Sequence, residues 1–110
     1  MTGVQTCALP ISINYSRMQK SALEAEKYLK VFSNADRLSL LCQLIQEEKC
    51  VQELEASTQI RQPTLSQQLT VLRNEGLVKT RRDGRKIYYS LSSEIAASVM
   101  SLLYSHFCSN

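Results

Sequence analysis

A chain of 110 residues, 44% hydrophobic and 21% charged, holds one domain with a small core, and dimerisation would help cover what that core cannot. No run of about 18 apolar residues exists to span a bilayer, and the N-terminus lacks the basic region and long apolar stretch of a secretory leader, so a cytoplasmic location with reduced thiols and no membrane contact is expected. No paired carboxylates mark a cleft, no nucleophile stands with a base, and three glycines leave little room for a phosphate loop, so neither an enzyme nor a cofactor is expected.

Met1 to Ser12 has neither a helical nor a strand period and resembles a translated sequencing-library adapter. Residues 1–17 are therefore read as non-native or unstructured, which leaves Cys7 outside any mechanism and makes 18–110 the folded unit. A first helix is expected from Met18 to Phe32, with Ala22, Leu23, Ala25, Tyr28, Leu29 and Phe32 on one apolar face. A second is expected from Ala35 to Glu48, capped by Asn34, with Leu38, Leu41, Cys42 and Ile45 on one face and Leu40 and Leu44 widening it. A third, short helix covers Val51 to Ser57, with Leu54 and Ala56 inward, and Thr58 to Gln62 forms a tight turn.

The next helix starts and stops clearly. Pro63 suits the first helical position, where its missing N–H has no partner to lose, and Gly76 suits the positive φ just past the end. Leu65, Leu69 and Leu72 form one apolar stripe. The opposite face carries Gln62, Thr64, Ser66, Gln67, Thr70 and Arg73. That face is nearly uncharged and made of groups that donate and accept hydrogen bonds, which suits base edges in a major groove. A β-hairpin follows, with Val78 and Thr80 alternating with Lys79 and Arg81, a turn at Asp83-Gly84, and Ile87, Tyr88 and Tyr89 on the return strand. Arg81, Arg82, Arg85 and Lys86 surround its tip, placed to hold phosphate together with Arg73, or to enter the minor groove. Residues 61–86 hold seven basic and two acidic residues, a net +5 in a chain of +3 overall, so the remainder is −2. Such a basic stripe is an electrostatic footprint for nucleic acid.

A last helix is expected from Ser93 to Cys108, with Ile95, Val99, Leu102, Leu103, His106 and Phe107 apolar over much of its circumference. The fold class that results is mainly α (α+β): a winged helix-turn-helix of about five helices and a two-stranded hairpin wing. The first and last helices are too apolar for one small lobe and are expected to pair with their copies in a homodimer. Two recognition helices about 34 Å apart would then read an inverted-repeat operator in double-stranded DNA. Two other readings stand beside this one: a repressor sensing a metal or haem through a mixture of Cys42, Cys50, His106 and Cys108, and a winged-helix module that binds protein.

The order of elements, and above all Gln62-Pro63-Thr64-Leu65-Ser66-Gln67-Gln68-Leu69-Thr70-Val71-Leu72-Arg73 with Gly76-Leu77-Val78, resembles the ArsR/SmtB family of dimeric winged-helix repressors. The resemblance covers roughly Ala22 to Asn110 and implies a repressor that leaves DNA when an inducer binds. Arsenic-type members carry a Cys-Val-Cys pair where this chain has Cys50-Val51-Gln52, so one of the thiolates a soft ion wants is missing. Zinc- and nickel-type members use acids and histidines along the last helix, where this chain offers only Glu94 and His106. No metal site is expected. Arg37-Leu38-Ser39-Leu40-Leu41-Cys42 and Leu102-Leu103-Tyr104-Ser105-His106-Phe107-Cys108 are similar to persulfide-sensing members. That resemblance implies that Cys42 and Cys108 form a redox pair, joined by a di- or polysulfide when reactive sulfur species or an oxidant act as inducer. Taken alone, Cys42 on its apolar face reads as packing, and Cys108 lies where the helix dipole disfavours a thiolate.

Overall fold

The computed structural model describes residues 12–108. Residues 1–11, with Cys7, lie outside the described residues. Helix α1 spans Tyr15–Phe32, α2 Ala35–Leu44, α3 Val51–Thr58, α4 Thr64–Asn74 and α5 Glu94–Phe107; strands β1, β2 and β3 span Lys49–Cys50, Val78–Asp83 and Lys86–Leu91.

Each helix begins on a hydrogen-bonding residue or against one. Asn14, Asn34 and Ser93 accept the N–H groups of Arg17, Arg37 and Ala96, satisfying donors that a helix start leaves orphaned. The Asn14 cap starts α1 three residues before the expected Met18. Helix α2 stops at Leu44, short of the expected Glu48, because the chain must turn to supply β1. That two-residue strand pairs antiparallel with β3, Lys49 opposite Tyr89 and Cys50 opposite Tyr88. The sheet is thus three-stranded in the order β1-β3-β2 rather than a bare hairpin. The wing turn also differs by one residue. Asp83 pairs with Lys86, so Gly84 and Arg85 make the turn, and Gly84 takes the positive φ of 67° that a two-residue turn with Gly first requires.

The core is built from Leu40, Leu41, Leu54, Leu65, Leu69, Leu72 and Leu77, all fully buried. Leu40, Leu41 and Leu44 are the deep positions of α2, while Leu38 and Cys42 are half-buried and Ile45 lies at the surface. Ala56, expected inward, is exposed on the short α3. Outside this lobe α1 buries only Val31 and Phe32, and α5 only Ala96 and Met100. The hydroxyls of Tyr28 and Ser93, 2.6 Å apart, tie the two outer helices together.

Candidate nucleic-acid interface and thiol groove

Helices α3 and α4, joined through Gln59–Pro63, form the helix-turn-helix. Gln59 ends α3 with φ of 65° and gives its N–H to the Glu55 carbonyl, and buried Ile60 then anchors the turn. Pro63 stands one position before the helix proper and has no side chain to cap it. The Gln62 side-chain oxygen Oε1 does that instead, accepting the Ser66 N–H at 3.0 Å. At the other end Leu77 donates to the Leu72 carbonyl and Gly76 to that of Arg73, with Gly76 at φ 82°. This pair of bonds is the Schellman stop. It carries the chain straight into β2, so the helix end and the wing are fixed to each other.

Leu65, Leu69 and Leu72 anchor α4 to the core and turn its polar face outward. The expected reading residues are not equivalent there. Gln62 is engaged as the cap, and Thr70 donates its hydroxyl back to the Ser66 carbonyl at 2.8 Å. Thr64 is half-buried. Ser66, Gln67 and Arg73 are exposed, and their side chains make no hydrogen bond among the described residues.

The wing divides in the same way. Arg82, Arg85 and Lys86 are exposed, and none of them forms an ion pair among the described residues. Arg81 is committed. Its guanidinium holds both carboxylate oxygens of Glu48 at 2.6 and 3.2 Å, lies 3.8 Å from the Asp83 carboxylate, and sits over the Tyr88 ring at 4.7 Å. The hydrogen bonds from Arg81 hold the Glu48 carboxyl below its ordinary value, and those to Glu48 hold Arg81 above its own. Arg81 therefore braces the wing against the segment after α2. The alternation pattern of the hairpin carried no sign of this, because the partner lies 33 residues away.

Cys42 and Cys108 face the same groove. Both line a groove of about 690 Å³ between α2 and α5, with Leu38 and Ile45 on one wall and Leu103 and Phe107 on the other. Both thiols are free, Cys42 half-buried and Cys108 exposed. Among the described residues, no Lys, Arg, His, Asp or Glu lines this groove. His106 packs edge-on against Phe107, ring centres 4.7 Å apart, and is not a lining residue. Cys50 is elsewhere: it is 2% exposed and caps α3, where its N–H donates to Glu53 at 2.9 Å. That bond, with one from the Cys50 side chain, lowers the Glu53 pKa. Among the described residues no three His, Cys, Asp or Glu side chains gather where they could hold a metal ion.

A helix-turn-helix followed at once by a basic-tipped hairpin defines a winged-helix DNA-binding protein, a regulator rather than an enzyme. Comparison with known proteins narrows the class. The family model for bacterial regulatory proteins of the arsR family matches residues 34–80. The biofilm growth-associated repressor of Agrobacterium fabrum is 50% identical over 91 residues, 83% of this chain and 78% of its own length. The crystal structure of the transcriptional repressor BigR from Xylella fastidiosa matches with a TM-score of 0.82 at 44% identity, over 89% of this chain and 100% of that one. The solution structure of a homodimeric winged helix-turn-helix DNA-binding domain from Mycobacterium bovis matches with a TM-score of 0.70 at 27% identity, over 88% of this chain and 94% of that one. This chain belongs to the arsR family, as the residues around α4 implied.

Proposed function

We propose that this protein is a homodimeric transcriptional repressor that leaves an inverted-repeat operator when Cys42 and Cys108 become linked. The observation that carries the switch is the shared groove, where two free thiols from α2 and α5 line one apolar cleft. For the dimer, support comes from Leu23, Leu29, Leu102 and Phe107, which are 58–78% exposed on α1 and α5, and from the homodimeric relative. For repression, support comes from the two repressors to which the chain is similar.

The chemistry closes without a cofactor. One thiolate attacks the outer sulfur of a low-molecular-weight persulfide, and the carrier thiolate leaves. If both cysteines are so modified, the terminal sulfur of one attacks the Sγ of the other and hydrosulfide leaves, giving a trisulfide. If only one is modified, the second thiolate attacks its Sγ, hydrosulfide leaves, and a plain disulfide forms. A disulfide needs Cα atoms within about 7 Å, a limit that an inserted sulfur relaxes. Peroxide needs a thiolate activated by a nearby cation or helix N-terminus, and among the described residues no cationic side chain lines the groove. The persulfide route also begins with a thiolate, so the distinction between the two inducers rests on the inserted sulfur, which relaxes the distance limit of a plain disulfide.

On the DNA side, Ser66 and Gln67 read base edges, with Thr64, Thr70 and Gln62 beside them. Arg73, Arg82, Arg85 and Lys86 hold phosphate, and Arg81 keeps the wing in place for them. The test is Cys42→Ser and Cys108→Ser, each titrated against operator before and after a persulfide donor. Both variants are expected to bind like wild type and to stay bound after treatment. A variant that still releases DNA removes that cysteine from the switch.

A further inference from the structure

Arg37 is an unusual cation. It lies in the first turn of α2, where the helix dipole disfavours positive charge, and no carboxylate is within 4 Å of it among the described residues. Its guanidinium is instead divided three ways. Nε donates to the Val31 carbonyl at 2.7 Å and one terminal nitrogen to the Lys30 carbonyl at 3.1 Å, both at the open end of α1. The other terminal nitrogen donates to the Gln68 side-chain oxygen on α4 at 2.7 Å. The planar fork of arginine suits such a three-way junction in a way that lysine cannot reproduce.

Gln68 gives this junction a meaning for DNA. The leucines of α4 fix its depth in the core and turn its polar face outward, but apolar packing is non-directional and leaves the finer roll of the helix about its axis less defined. A short hydrogen bond at Gln68 pins that roll. Consecutive helical residues lie about 100° apart, so pinning Gln68 sets where its neighbour Gln67 points. We propose that Arg37 is a positioning residue for operator recognition: clamped to the end of α1, it holds Gln68 and so sets the roll of the recognition helix. Helix α2 also carries Cys42, so a displacement of α2 at the thiol groove is delivered to Gln68 through the same side chain. That second half rests on the thiol reading above.

The test is Gln68→Met, which keeps the volume and removes the acceptor while leaving Arg37 on α1. Wild type and variant are titrated with an operator selected by the wild type from random duplexes and with an unrelated duplex, before and after a persulfide donor, with a thermal melt alongside. The variant is expected to melt within a few degrees of wild type, to lose about tenfold on the operator, to bind the unrelated duplex unchanged, and to respond less to the donor. Arg37→Lys, if it folds, is expected to give the same pattern. Unchanged operator binding, or equal losses on both duplexes, overturns the positioning role. An operator loss with the full wild-type response to the donor overturns the coupling half. A wild type indifferent to the donor overturns the thiol reading and the coupling with it, and the ratio between the two duplexes then still decides the role of Arg37.

Discussion

The helix-turn-helix lobe and the outer pair of helices are built on different terms. Within the lobe, Leu65, Leu69, Leu72 and Leu77 are at most 1% exposed, so one chain closes its own core there. On α1 and α5, Leu23 is 78% and Phe107 75% exposed, so the same chain leaves large apolar side chains open. The helix-turn-helix lobe is thus complete in one chain, whereas in the proposed dimer a second copy would finish the outer layer. The thiol groove lies on the boundary between them, with one wall from α2 of the lobe and the other from α5. In the proposed switch, a covalent link across that boundary would act on the joint between the reading lobe and the outer helices.

The largest expected effect tests the two sides directly. Leu69→Ala removes a buried side chain of the lobe and is expected to cost about 2–5 kcal/mol of stability in chemical denaturation. Leu102→Asp on α5 is expected to leave the lobe folded by circular dichroism while shifting sedimentation from dimer to monomer. A dimer that survives Leu102→Asp breaks the comparison. Next come the DNA contacts. Arg82→Ala and Arg85→Ala are each expected to weaken operator and unrelated DNA alike and to reduce the slope of affinity against salt by about one. Gln67→Ala is expected to weaken only the operator, and equal losses on both duplexes would contradict its placement at the groove.

Two smaller effects sharpen the lobe's side. Gln59 holds a left-handed conformation that costs a non-glycine residue energy. Gln59→Gly is expected to raise stability by about 0.5 kcal/mol, the gain being reduced by unfolded-state entropy and by the lost bond from its side chain to the Ala56 carbonyl. The smallest effect is that of the wing brace, because an exposed ion pair contributes little. The Glu48 pKa is lowered chiefly by its hydrogen bond from Arg81. Its contribution is therefore full above the ordinary carboxylate range and is lost as pH falls through the depressed value. Protection of β2 amides, taken relative to their intrinsic exchange rate at the same pH, is expected to fall only below that range in the wild type, and already at neutral pH in Glu48→Gln.

What the sequence made legible follows from range. The leucine stripe of α4, its stop at Gly76 and the wing turn near Gly84 are local patterns and lie within a residue of where they were expected. Strand β1 was not legible, since two residues have no period and their partner Tyr89 is distant in the chain. The clamps of Arg37 on Gln68 and of Arg81 on Glu48 join residues 31 and 33 apart, so nothing local announces them. Arg81 in particular read as one more phosphate contact because its neighbours are basic. That Cys42 and Cys108 line one groove could be anticipated only through family resemblance. By spacing alone, each thiol read as a separate side chain on a separate helix.

The most direct test of the switch is intact mass of protein treated separately with a persulfide donor and with peroxide, followed by operator binding on each sample. The expected result is a species one sulfur heavier and two hydrogens lighter after the donor, mapped to a bridge between Cys42 and Cys108, together with lost operator affinity. Unchanged mass and unchanged binding after the donor would contradict it and remove both cysteines from the switch.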